Sequence, residues 1–249
     1  MDRRTYLTTS TLAAITIGFP KASFTTGAAN PLKVVVSGAH PDDPETGCGG
    51  LIALLADAGH EVVIAYLTRG EAGIEGVGQE EAATIRTAEA REACNLLGGK
   101  PHFLGQVDGS TYINQDAYTQ VWQFLMDHKP DLILTHWPMD SHRDHRICSM
   151  LTYDAWLRME ARPALYYYEV MTGIQSHNFQ PTDYVDITRV VDRKHQACFL
   201  HKSQKIELFY PNDHGRMEVF RGMEAGVDFA EAYVRHSQSQ IVALPAKFD

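Results

Sequence analysis

Residues 32–68 read LKVVVSGAHPDDPETGCGGLIALLADAGHEVVIAYLT, and this stretch decides the fold. The apolar run from Leu32 to Val36 reads as a strand, Thr46 to Ala58 is a Leu- and Ala-rich helix ending at Gly59, and Val62 to Leu67 is a second strand. A strand, a crossover helix and another strand make a parallel pair. The pattern continues outward. Gln79 to Leu97 mixes alanines and charges at helical spacing and stops at Gly98-Gly99. His102 to Leu104, Leu132 to Leu134 and Ala164 to Tyr168 read as strands, and Gln115 to His128 and His142 to Arg158 as helices. Beyond Asp183 the signal weakens to a strand at Tyr184 to Ile187 and a helix at Val190 to Ser203. The expected class is α/β: a Rossmann-like, mainly parallel sheet flanked by helices in a single domain. Gly70 to Gly78, with four glycines, is expected to be a loop able to move near a site.

At 249 residues and 44% hydrophobic content the chain can bury one sizeable core. A formal charge of −9 and the lack of a Lys/Arg block argue against nucleic acid as a partner; a small-molecule or glycan substrate fits better. Cys48, Cys94, Cys148 and Cys198 show no CxxC spacing and are expected as buried thiols. Near the start, Arg3-Arg4 precedes a short apolar stretch, Leu12 to Phe19, and then small residues through Ala28-Ala29. Residues 1–29 therefore look like a twin-arginine export signal, with residues 30–249 as the domain and a periplasmic or extracellular destination. No stretch is long and apolar enough to suggest a stable membrane span.

Two dense clusters carry the chemistry. His40-Pro41-Asp42-Asp43 follows the first strand, and His136 to His145, HWPMDSHRDH, follows the strand Leu132 to Leu134. Adjacent carboxylates repel, and removing them from water is costly unless a cation or hydrogen bonds compensate. In open parallel sheets, loops at the carboxyl ends of strands meet in one crevice, so His40, Asp43 and His145 can converge. An imidazole, a carboxylate and a second imidazole with open positions make a hydrolytic metal site rather than a structural one.

These residues resemble the PIG-L, or LmbE-like, zinc de-N-acetylases, which remove acetyl groups from N-acetylglucosamine units. AHPDDPETGCGG at 39–50 resembles that family's AHPDDE-type motif and PMDSHRDH at 138–145 its PxDxHxDH motif. LTRGEAG at 67–73, IRTAEAREA at 85–93, FLGQVDG at 103–109 and HKSQ at 201–204 extend the likeness. The resemblance implies His40, Asp43 and His145 as metal ligands, Asp42 as the general base and His142 as the group that stabilises the oxyanion or protonates the leaving amine. It further implies that Asp144 orients His142 in its charged form, and that Arg86 and Asp108 grip the sugar. One Zn2+ per chain is implied; Fe2+ or another divalent metal suits the same donors. Pro44 and Trp137 depart from the common pattern, and Trp137 is expected at the mouth of the pocket.

Plainer readings stand beside these. Arg86 lies on a charged helix and could pair with Glu81 or Glu89, Asp108 could serve only its turn, and Asp140 fits a helix cap or a partner of a ligand better than a ligand. The chain is expected to be a metal-dependent amide hydrolase acting on an N-acetylated amino sugar. The alternatives are a metal-dependent hydrolase of an ester or phosphate, and a non-catalytic sugar-binding relative. A dinucleotide-binding protein lacks support, since AHPDDPE stands where GxGxxG would be needed.

Overall fold

The computed structural model describes residues 31–171, 173–240, 242 and 244; the expected export segment lies outside them. Five parallel strands, β1 (Lys33–Gly38), β2 (Glu61–Thr68), β3 (Lys100–Gln106), β4 (Leu132–His136) and β5 (Ala164–Tyr168), are joined by β6 (Asp183–Asp186) and β7 (Ala230–Arg235). The order is β3-β2-β1-β4-β5-β7-β6, with β7 antiparallel to both neighbours. The helices are α1 (Asp43–Asp57), α2 (Gln79–Leu97), α3 (Gln115–His128), α4 (Arg143–Leu157), α5 (Val191–Phe199), α6 (Ile206–Phe209) and α7 (His214–Ala225). This is the expected α/β class with a mostly parallel sheet.

Alternation along the strands feeds two cores. Val34 and Val36 of β1 join the layer beneath α1, α2 and α5, while Val35 faces the layer beneath α3 and α4. Each fully buried aliphatic side chain contributes roughly 1.5–3 kcal/mol, and both faces of β1 and β4 are so covered. The order reverses at β1, which has β2 on one side and β4 on the other. Both motif-bearing loops leave the carboxyl ends of that pair.

The structure corrects one boundary and adds two features. Helix α1 begins at Asp43, not Thr46, because Asp43 and Glu45 suit the positive end of a helix and Pro44 is tolerated in a first turn. The Gly-rich segment is a loop, as expected, and two of its glycines, Gly70 and Gly73, make room for Arg86: a Cβ at Gly70 would sit 2.6 Å from Arg86 Cδ. Lastly, α7 and β7 form an antiparallel return that the weak periodicity beyond Asp183 did not announce. All four cysteines are buried and free.

Helix α1 carries Gly47, Gly49 and Gly50, each about 1 kcal/mol worse than alanine in a helix interior. Close approach explains them. A Cβ at Gly47 would lie 2.5 Å from Tyr168 Cδ2, and one at Gly49 2.9 Å from Lys194 Cγ. Beneath this face the buried Lys194 Nζ contacts Glu218 Oε1 at 2.8 Å and Glu231 Oε1 at 2.9 Å. Glu231 also accepts the Gly50 and Leu51 N–H groups at 2.7 and 2.8 Å, and Glu218 accepts the Tyr210 hydroxyl at 2.7 Å. One buried cation thus joins α5, α7 and β7, and Glu231 carries the link on to α1.

Burial would raise the Glu218 pKa, but Lys194 and His195 outweigh it and hold the group at about 2, against an ordinary 4.5. Its stabilisation is complete above the unfolded value and fades as pH falls from about 4.5 toward about 2. Glu218→Gln is expected to lower stability by about 3 kcal/mol at neutral pH in denaturant melts and to flatten that acid-side loss. A variant as stable as the parent would show that the network is dispensable.

Candidate metal centre

The turn after β1 sends two neighbouring carboxylates to different places. Asp42 adopts φ 114° and ψ −31°, a backbone conformation that costs a residue with a Cβ of the order of 1–3 kcal/mol and gathers at functional sites. It is held on all sides. Its N–H donates to Glu45 Oε2 at 3.2 Å, its carbonyl accepts the Thr46 N–H at 2.9 Å, and its Oδ2 accepts from Arg86 Nη2 at 2.8 Å. Burial and the adjoining Asp43 raise the Asp42 pKa, with Arg86 opposing.

Asp43 points instead into a nest of imidazoles. Its Oδ2 is 3.1 Å from His40 Nδ1, and its Oδ1 is 3.2 Å from His145 Nε2. Burial would raise its pKa, but His145, His136 and His40 hold it well below the usual carboxylate range. The far ring nitrogens are anchored as well. His145 Nδ1 meets Asp140 Oδ1 at 3.2 Å, while His40 Nε2 meets Asp108 Oδ1 at 3.1 Å and Asp144 Oδ2 at 3.3 Å.

The His/Asp cluster fits a divalent cation. Ligands about 2.0–2.1 Å from a tetrahedral metal stand about 3.3 Å apart, close to the His40–Asp43 and Asp43–His145 separations. Metal-binding histidines also carry a carboxylate or carbonyl on the other nitrogen, as His40 and His145 do. The donor atoms of His40, His142 and His145 lie within 4.8 Å of one another, as do those of Asp43, His136 and His145. The two groups share His145.

The structure redistributes several expected roles. His142 stands before the first turn of α4, its ring centroid 4.8 Å from that of His40 and 4.7 Å from that of His145. Asp144 engages that ring through its backbone alone, its N–H donating to His142 Nδ1 at 3.3 Å. The Asp144 oxygens accept from Thr111 Oγ1 at 2.6 Å and Gly109 N–H at 2.8 Å and face His40, because the first turn of α4 aims them toward that loop. Burial first, then His145 and His40, push the His142 pKa down, so the charged form expected of it is not favoured. Arg86 meets neither Glu81 nor Glu89: it is buried and donates to the Pro41 carbonyl and to Asp42. Asp108 lies against His40 and accepts the Ala72 N–H at 3.3 Å. Asp140 takes the expected supporting place, accepting the His142 N–H at 2.7 Å and facing His145. Trp137 is turned away from the pocket, its Nε1 donating to the His177 carbonyl at 2.8 Å, since the ring packs edge-on to Tyr167 and Phe179.

Four contributors went unassigned in the sequence. His136 closes β4, and its Nε2 accepts the Ala39 N–H at 2.9 Å; burial, aided by His145, pushes its pKa down to about 4. Glu45 accepts the Tyr66 hydroxyl at 2.5 Å and faces the fully buried His201 at 3.4 Å, and the AHPDDE-type motif was the signal that could have marked it. His214 reaches the site from α7, where no motif points to it. The residues converge on a cavity of about 650 Å³, whose wall includes His40, Asp42, Asp43, Arg86, Asp108, His142, His145 and His214.

A sheet-end crevice on a doubly wound α/β frame thus holds a His/Asp cluster that fits a metal site. The model of the PIG-L family, described as GlcNAc-PI de-N-acetylase, matches residues 35–156. The chain is 29% identical over 69% of its length to the diacetylchitobiose deacetylase of Thermococcus kodakarensis, covering 70% of that protein. It is 27% identical over 74% of its length to a probable N-acetyl-alpha-D-glucosaminyl L-malate deacetylase 2 of Bacillus cereus, covering 89% of it. A third relative, 25% identical, is the 4-oxalmesaconate hydratase of Pseudomonas putida, with 77% of this chain and 80% of that one aligned. Among solved structures, the N,N'-diacetylchitobiose deacetylase of Pyrococcus horikoshii superposes with a TM-score of 0.73 at 26% identity, covering 82% of this chain and 84% of that one.

Arg86→Met leaves the Asp42 carboxylate half-buried beside Asp43 with its cation removed. The expected loss is about 3 kcal/mol in denaturant melts, with Arg86→Lys intermediate. Equal stability of all three proteins would show that the pair contributes nothing net.

Proposed function

We propose that the protein is a metal-dependent amide hydrolase that removes the acetyl group from an N-acetylated amino sugar. The observation that carries this reading is the separation of Asp42 from Asp43: one carboxylate joins the imidazoles and its neighbour stays apart from them in the same cavity. His40, Asp43 and His145 would hold the cation, and Zn2+ is the ion we assign to these N/O donors. When bound, such an ion supplies Lewis acidity and makes water more acidic. Asp42 accepts a proton from water at its carboxylate, which stands apart from the imidazoles, and its raised pKa makes it a stronger base than an ordinary aspartate. His142, beside the imidazole pair, donates a hydrogen bond to the developing oxyanion. Asp144 acts through His40, which it holds at Nε2, and Arg86 acts by positioning Asp42. Asp108 remains on the cavity wall where a sugar hydroxyl can reach it. The likeness to deacetylases of N-acetylglucosamine compounds supports the choice of bond. Because a hydratase is also similar, acetate release is the deciding readout.

Zinc-loaded protein is expected to liberate acetate from at least one N-acetylglucosamine compound. Asp42→Asn should retain the metal by elemental analysis and lose at least about a hundredfold in kcat, whereas His145→Ala should lose the metal itself. Full activity of Asp42→Asn, or full metal content of His145→Ala, would reverse these assignments. We further propose that the Arg3-Arg4 segment directs export. Fractionation of cells expressing the full chain should find it outside the cytoplasm, and Arg3→Lys/Arg4→Lys should keep it in the cytoplasm; a parent chain confined to the cytoplasm would rule this out.

A further inference from the structure

Charge on the cavity wall discriminates between kinds of acetylated substrate. Among the described residues the wall holds no lysine and one guanidinium, that of Arg86, and Asp42 has claimed it at 2.8 Å. Asp42, Asp43 and Asp108 share the same wall, so even a divalent cation at the floor leaves no surplus positive charge for an acidic group on a substrate. Burying an unpaired anion there would be costly. Lys202 and Lys205 do not help, since they line a separate cleft of about 110 Å³.

Away from the imidazoles the wall changes character, passing to Met171, Gln175, Gln204, Ile206, Phe209 and His214. Gln204 spends its amide N–H groups on the Gly73 carbonyl and Ser203 Oγ, each at 3.0 Å, which leaves its carbonyl to accept. His214 is buried, with its Nδ1 lacking a hydrogen-bond partner. Burial, then Lys194, push its pKa down to about 4, so the ring is neutral and can both donate and accept. Phe209 is 39% exposed and offers a flat apolar face. Neutral hydrogen-bonding groups around an apolar face, in a cavity of about 650 Å³, suit a polyhydroxylated ring rather than an ion.

We propose that the part of the substrate beyond the reacting acetamide is an uncharged glycosyl residue, packed on Phe209 and hydrogen-bonded by Gln175, Gln204 and His214. The substrate class is then a neutral N-acetylated oligosaccharide, not an acidic conjugate; this inference rests on the deacetylase reading above. The test uses the full chain loaded with zinc and compares acetate release from N,N'-diacetylchitobiose and from N-acetylglucosamine 1-phosphate. The disaccharide is expected to have a kcat/KM at least tenfold higher. His214→Gln and Phe209→Ala should each lower kcat/KM for the disaccharide five- to tenfold, chiefly through KM, and Gln204→Arg should shift preference toward the phosphate. Calorimetry on Asp42→Asn gives a second readout free of turnover: the disaccharide should bind at least tenfold more tightly than the phosphate. Preference for the phosphate in either measurement overturns the substrate class and leaves the deacetylase reading intact. Acetate release from neither compound, nor from any other N-acetylglucosamine derivative, overturns both.

Discussion

Two carboxylates next to each other in the chain cannot both be buried on one side of a turn without a cation for each. That electrostatic constraint organises the crevice. Asp42 is twisted to φ 114° and handed to Arg86, while Asp43 continues into α1 and faces His40 and His145. The unusual backbone of Asp42 is the mechanical form of the separation. An ordinary backbone would let the two groups share one environment, and the two roles proposed for them would no longer be distinct.

Holding that turn requires support from well behind it. Glu45 bonds the Asp42 N–H and the Tyr66 hydroxyl and faces His201, linking the turn to β2 and to the segment after α5. Gly70 and Gly73 give Arg86 space to reach Asp42. The Lys194 cluster presses the glycine face of α1 against β5, β7 and α5, so the helix that begins at Asp43 cannot drift from the sheet. Strain at one residue is thereby met by burial and ion pairing at many others.

Much of this was legible in the sequence, for physical reasons. Buried parallel strands read as continuous apolar runs, so β1, β2, β4 and β5 were visible, and a switch of strand order brings together the loops that carry Asp43 and His145. Side-chain direction was not legible. Asp144 was expected to face its near neighbour His142, yet the start of α4 turns it to Thr111 and Gly109; Arg86 sits on a helix with glutamates at hand, yet long-range packing takes it to Asp42. The antiparallel strand β7 and helix α7 were missed because short, half-buried segments carry little periodicity. His214 was missed with them, being a lone histidine without a neighbouring motif.

The position of His214, Gln204 and Phe209 along the chain has an evolutionary consequence. The stretch that matches the family model, residues 35–156, contains His40, Asp42, Asp43, His142 and His145, whereas the opposing wall comes from residues after Tyr168. On the roles proposed above, chemistry and selectivity are written in successive portions of one polypeptide. A lineage can remodel its C-terminal third, by drift or by recombination at the loop following β5, and meet new molecules with an inherited reaction. Divergence within such a lineage should accumulate unevenly, slowly before that loop and quickly after it.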